Sequence, residues 1–499
     1  MLENLALGFD VALSIKNLTF AFLGAFIGTA IGVLPGLGPT ATISLLLPLT
    51  FGIEPTTAII MLAGIYYGSQ YGGSTTAILL NLPGEVSAVV TAIEGHKMAR
   101  NGRAGAALAA AALGSFFAGS VATIVVAASG PMLTSVALSF GPPDYFSLML
   151  LGLIVACVLA RGSVVKAVAM VVVGVCLGMV GTDVQTGQQR FTFGVPELSD
   201  GLNFVALAMG LFGIAEIILN LEKPEIRTGT VPVRGSLWLT KEEWRYAIPA
   251  SIRGTILGSL LGILPGGGAA LSSFGSYMLE RRLTRRPEKF GNGAIEGLAG
   301  PESANNAGAQ TAFIPLLTLG IPSNSVMALM VGALIIQGIQ PGPRMVTAQP
   351  ELFWGLIASM WIGNLMLLVI NLPMIGLWVK LLQVPYRFMY PSIMIFCAIG
   401  AYSINNNLFD VYAVAVFGAF GYLLSKLALE GAPLLLGFVL GPMMEEHLRR
   451  AMLLSRGDPM VFLERPISAT LLALAAIALF LMMSPSLRRG KSIAVAEGG

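Results

Sequence analysis

Apolar residues run along this chain in stretches of about 20, the length at which an α-helix crosses the hydrocarbon core of a bilayer. Such stretches fall at 17–34, 104–130, 144–160, 163–181, 202–221, 247–264, 351–379, 388–404, 409–425 and 466–484. Others, at 37–50, 56–95, 267–280, 300–340 and 430–444, are shorter or interrupted by Gly and Pro. Counting pairs of half-helices as single spans, the pattern predicts about 12 crossings. No stretch sustains strand-like alternation, which argues against an outer-membrane barrel. The expected fold is an all-α polytopic membrane protein with about 12 transmembrane segments, broken and re-entrant helices among them.

Composition sharpens this. Of 499 residues, 55% are hydrophobic and 11% charged, against about 25% charged in a soluble domain. Soluble and disordered classes are thereby excluded. The net charge of +3 brings no basic tract interleaved with aromatics, so no nucleic-acid partner is expected. Cys157, Cys176 and Cys397 lie in apolar stretches and read as small hydrophobes. With His96 and His447 the only histidines, no structural or catalytic transition metal is expected, and no cofactor. The N-terminus MLENLALGFD lacks the basic region of a secretory signal and is expected to be retained.

The chain repeats itself. GAFIGTAIGVLPGLG at 24–38 returns as GTILGSLLGILPGGG at 254–268, pairing Gly24, Gly28, Gly32, Leu34, Pro35, Gly36 and Gly38 with Gly254, Gly258, Gly262, Leu264, Pro265, Gly266 and Gly268. Further on, GSTTAILLNLPG (73–84) resembles GAQTAFIPLLTLGIPS (308–323), sharing Gly-x-x-Thr-Ala and a later Pro once a four-residue gap is allowed. The GxxxGxxxG runs read as close helix packing. LPGxG, with no following Lys-Ser/Thr, reads as a helix break and not a phosphate loop.

Charge orients the repeats. In the first, the loop FGIEPTT has no basic residue, while EGHKMARNGR after the polar segment has Lys97, Arg100 and Arg103. In the second the order reverses: Arg281, Arg282, Arg285, Arg286 and Lys289 come before it, and only Arg344 after. Cytoplasmic loops are rich in Lys and Arg, so the two repeats are inverted, as in secondary transporters. The domains expected are a first transmembrane half at 1–221, a cytoplasmic linker at 222–246 with Lys223, Arg227, Arg234, Lys241 and Arg245, and a second half at 247–499. One place strains this tracing. Arginines at 445–465 and 487–491 flank a single span and cannot both be cytoplasmic.

Two polar, mostly uncharged clusters sit in these apolar segments. One is Gly73, Ser74, Thr75 and Thr76 followed by Asn81, Pro83 and Gly84. The other is Glu302, Asn305, Asn306, Gln310 and Thr311 followed by Pro322 and Ser323. Gly and Pro are expected to break the helices there and free backbone groups. Half-helix N-termini would suit a carboxylate, and freed carbonyls with Ser, Thr and Asn oxygens would suit Na⁺. Glu302 suits a coupling cation or proton, or a helix N-terminal charge at the cytoplasmic mouth.

The run 66–108, with YGGS and NLPG, the GxLPGxG turns, PESANNAGAQTAFIPLLTLGIPS (301–323) and GIQPGP (338–343) together resemble the large membrane subunit of tripartite tricarboxylate transporters, the TctA family. The resemblance covers nearly the whole chain. It implies a multi-pass bacterial inner-membrane secondary transporter for di- and tricarboxylates, commonly a Na⁺ symporter. It also implies two partners, a small membrane subunit and a periplasmic solute-binding protein. No enzymatic activity is then expected. Two other classes stay open: an intramembrane enzyme, which needs a nucleophile–base pair or metal set at membrane depth, and a passive channel, which needs a continuous polar lining.

Overall fold

The computed structural model describes residues 2–34, 36–160, 163–183, 185–222, 231, 233, 236–264, 268–382 and 386–483. Pro35, Pro265, Gly266, much of the 222–246 linker and 484–499 lie outside the described residues. The described chain is almost wholly helical, with one two-stranded hairpin at Gly181–Thr182 and Gln189–Arg190. Among the described residues, five helices are long and apolar enough to cross a membrane: Ile15–Gly32, Ala99–Ala137, Phe204–Glu222, Pro350–Asn371 and Leu408–Lys426. Shorter apolar helices include Pro142–Val158, Val164–Gly178, Ser325–Ile336 and Pro466–Phe480.

The core is built on two glycine-faced helix pairs. Helix Ile15–Gly32 packs on helix Pro55–Leu80 so tightly that a Cβ on Gly24, Gly28 or Gly32 would strike the carbonyl of Met61, Ile65 or Ser69. Helix Lys241–Gly262 packs likewise on helix Glu296–Thr311, with Gly254, Gly258 and Gly262 against Gly300, Ala304 and Gly308. Partners rise together in number, so each pair is parallel. Ion pairs tie the starts: Lys16 to Glu54 at 2.8 Å, and Arg286 to Glu242 at 2.9 Å.

The pairs themselves run in opposite directions. Helix Ala104–Ala137 begins beside the start of the second pair, where Arg103 pairs with Glu243 and Gly105 abuts Ser236. It ends near the start of the first pair: Gly130 abuts Phe353, and the neighbouring Gly355 lies by Thr56. Reciprocally, Gln337, which follows helix Ser325–Ile336, donates to the Thr50 carbonyl at 2.9 Å.

Two expectations are corrected. The clusters break their helices only at their Pro-containing ends and not in their leading parts: Gly73–Thr76 lies inside the continuous helix Pro55–Leu80, and Glu302–Thr311 inside Glu296–Thr311. Hydroxyls there return to the carbonyl one turn back, Thr75 to Tyr71 and Thr311 to Ala307. Glycine's helix cost is offset because the bare backbone permits close packing. The breaks come later, at Asn81 and Gly320, both left-handed (φ 58° and 73°) and each two residues before Pro83 or Pro322. Secondly, the packing register that equates Met61 with Gly300 also carries Asn81 onto Gly320 and Pro83 onto Pro322 with no gap. The Gly-x-x-Thr-Ala likeness is one helical turn out of that register.

The strain near the C-terminus also finds its reason. Arg465 binds Asp144 at 2.6 Å, just beyond the end of helix Ala104–Ala137 that is remote from Arg103. Arg449 binds Asp183 at 3.0 Å, and Arg450 binds Glu446 at 2.5 Å. Arg449, Arg450 and Arg465 are thus neutralised by carboxylates, and Arg465 lies at the opposite end from Arg281–Lys289. A count of basic residues alone misplaces them.

Candidate functional site

Glu302 comes from the second half and is 1% exposed. Helix Glu296–Thr311 holds it against three segments of the first half. Ser74 Oγ donates to its two oxygens at 2.9 and 3.0 Å. Thr91, from the short turn Ala88–Thr91, donates to Oε1, and Ser115, on helix Ala104–Ala137, donates to Oε2 at 3.4 Å. Asn306 orients that last group: its Nδ2 donates to Ser115 Oγ at 2.6 Å, leaving the serine proton for Glu302. The hydroxyls satisfy both carboxyl oxygens, which burial otherwise makes expensive. Beside them lies a cavity of about 10 Å³ whose polar lining is Tyr71, Ser74, Thr75, Ser115, Glu302 and Asn371. That is room for about one water molecule.

Other expected residues lie elsewhere. Thr76 Oγ1 donates to the Val33 carbonyl at 2.6 Å and so anchors the first turn beyond helix Ile15–Gly32. Gly73 is buried, with Glu85 as its neighbour. Asn305 is buried; its Nδ2 reaches Glu85 at 3.3 Å and its Oδ1 has no hydrogen-bond partner. Gln310 Nε2 meets Asn364 at 3.4 Å. Asn81 is exposed, and Pro83 and Gly84 are half-buried at the first break. Pro322 and Ser323 are buried at the second, where the Ser323 hydroxyl has no partner. Gly36 (φ 84°) accepts from Asn220 at 3.3 Å. Gly38 approaches the Gly84 carbonyl, and Gly268 (φ 46°) sits beside Asn324, so each LPGxG turn adjoins its own half's break. Among the described residues no hydrogen bond joins Thr311 or Ser323 to Ser74–Thr76.

Sequence reasoning missed Tyr71, Thr91, Ser115 and Asn371. Ser115 did carry a signal: it is the first polar side chain in the alanine-rich span that starts at Ala104. Tyr71 lies one helical turn before Ser74 on the same helix, whereas Thr91 and Asn371 are remote from it along the chain and meet it only in the fold.

The family model of the tripartite tricarboxylate transporter TctA family matches residues 18–436. The chain is similar to an uncharacterized 52.8 kDa protein in the TAR-I ttuC′ 3′ region of Agrobacterium vitis, 61% identical over 488 residues, 98% of this chain and 97% of that relative. It is also similar to an uncharacterized protein in the TAR-II ttuC′ 3′ region of the same organism, 64% identical over 231 residues, 46% of this chain and 96% of that relative. No solved structure matches.

Proposed function

The chain belongs to the tripartite tricarboxylate transporter TctA family, and on that premise we propose that it is the large membrane subunit of a binding-protein-dependent secondary transporter importing di- and tricarboxylates, with Na⁺ as coupling ion. In this reading it lies in the bacterial inner membrane and works with a small membrane subunit and a periplasmic solute-binding protein. The observation that supports it best is the opposed direction of the two helix pairs, tied at Lys16–Glu54 and at Arg286–Glu242. We take these as inverted repeats, the device by which one site faces either side of a membrane in turn. The halves are 1–221 and 247–499, joined by a cytoplasmic linker at 222–246, and the whole crosses the bilayer about 12 times with half-helices paired.

Two hydrogen bonds suggest how access alternates. Thr40, on the limb Pro39–Leu46 that follows the first LPGxG turn, bonds Ser325 beyond the second break at 3.0 Å. Ser273, on helix Gly268–Leu283 after the second such turn, donates to the Ser87 carbonyl beyond the first break at 2.9 Å. Both are closed here, and a cavity of about 10 Å³ is far below the ~300 Å³ or more of ordinary ligand sites. Opening either contact would admit a carboxylate to Asn305, Ser323 and the backbone of the two breaks from one side. Uptake of labelled carboxylates by proteoliposomes holding this chain and its partners tests the proposal. Uptake that needs the binding protein and an inward Na⁺ gradient is expected. Absence of uptake of every acid tried, with folded chain and partners present, contradicts it.

A further inference from the structure

We infer that Glu302, Ser74, Ser115, Tyr71 and Asn371 form the seat of the coupling ion: a site for one dehydrated alkali cation, separate from the carboxylate at the breaks. This deepens the transporter reading and rests on it.

Charge and donor type come first. The cavity beside Glu302 is lined by no Lys, Arg or His, and among the described residues Glu302 makes no ion pair. Its hydrogen-bond partners are three hydroxyls, from Ser74, Thr91 and Ser115. Glu302 is the one carboxylate on the cavity wall, and a carboxylate at this depth calls for one positive charge. Glu85, which Asn305 Nδ2 reaches at 3.3 Å, is not on that wall, so the wall's own charge matches a monovalent cation. Every polar group available is oxygen, the ligand type of hard cations.

The second observation is independent of the carboxylate. Two buried oxygens on the same cavity wall have no hydrogen-bond partner: the Tyr71 hydroxyl, in a residue 4% exposed, and Asn371 Oδ1, in a residue 5% exposed. A proton on Glu302 fills no part of the cavity, whereas an ion about the size of a water molecule seated there has both residues on its wall.

The surrounding hydroxyls can turn to receive it. Ser74 Oγ lies 3.2 Å from the Gln70 carbonyl as well as within reach of Glu302. Re-aiming its proton at Gln70 presents its lone pairs to the cavity. Ser115 Oγ is already held by Asn306 Nδ2. Glu302 and Asn371 come from the second half, whereas Tyr71, Ser74 and Ser115 come from the first. An ion bound here would therefore tie the two halves together.

Binding of ²²Na⁺ to the purified full-length chain, against choline at constant ionic strength, tests this without any need for transport. The wild type is expected to bind one Na⁺ per chain saturably. Glu302→Gln is expected to abolish binding, and Tyr71→Phe, which removes an oxygen that bonds nothing and so spares the fold, to weaken it at least threefold. Size-exclusion profiles confirm that each variant is folded. Saturable Na⁺ binding retained by Glu302→Gln, or left unchanged by Tyr71→Phe, overturns the site. So does proton release from Glu302 with no Na⁺ bound. Either result leaves the transporter reading to be judged by uptake alone, and failure of wild-type uptake would overturn that reading whatever the chain binds.

Discussion

Thr76 spends its hydroxyl on the Val33 carbonyl, one of the acceptors that the end of helix Ile15–Gly32 leaves without an intrahelical partner. Thr76→Val keeps the shape, loses that bond and strands a buried carbonyl, at a cost of about 1–3 kcal/mol. Uptake is expected to fall at least tenfold in Thr76→Val and to stay near normal in Thr76→Ser, with both variants reaching the membrane. Equal uptake by the two would remove the anchor role. Gly363 is the opposite case: it sits in helix Pro350–Asn371 with nothing within 4 Å of a Cβ. Gly363→Ala is expected to stabilise the protein by about 0.5–1 kcal/mol, read as a raised unfolding temperature in detergent. The sequence singled out Ser74, Glu302 and Asn306 as polar residues in apolar surroundings, and the fold brings them into one hydrogen-bonded group. It could not show that Thr91 and Ser115 complete the group, because residue spacing says nothing about which helices become neighbours.

At the scale of helices, the glycine stripes were legible. Small residues every fourth position predict backbone-to-backbone approach, and Gly28 against Ile65 and Gly258 against Ala304 realise it in the two halves. A methyl at either place meets backbone, which cannot turn aside as a side chain can. Gly28→Ala and Gly258→Ala are each expected to cost about 1–3 kcal/mol. Thermal unfolding should set both apart from Gly363→Ala, and a neutral result at Gly28 or Gly258 would show that the pair tolerates separation. Less legible were the breaks. Gly and Ser lower helix propensity, so Gly72–Thr76 reads as a break in isolation. Packing on the neighbouring helix overrides propensity there, and the chain turns only at Asn81, where a left-handed residue precedes Leu-Pro. The reversal of charge between the repeats pointed to opposed halves, whereas the paired arginines of 445–465 misled, since a formal count ignores the carboxylates beside them.

For the molecule as a whole, the reciprocal contacts Thr40–Ser325 and Ser273–Ser87 join the two halves, and the proposed function takes them as two closures over one interior. With Cys157, Cys176 and Cys397 replaced by Ala, a disulfide between Thr40→Cys and Ser325→Cys is expected to stop uptake and reduction to restore it. Uptake that persists with the disulfide intact would mean that this contact does not need to part. The central claim is that the two helix pairs face opposite ways across the membrane. Its most direct test uses that same cysteine-free chain carrying one cysteine, at Lys16→Cys at the start of the first pair or at Arg285→Cys at the start of the second, both exposed positions. Intact, outer-membrane-permeabilised cells are treated with a membrane-impermeant maleimide. Labelling at 16 but not at 285 until the inner membrane is opened is the result expected. Labelling of both from the same side would contradict the opposed halves, and with them the alternating site.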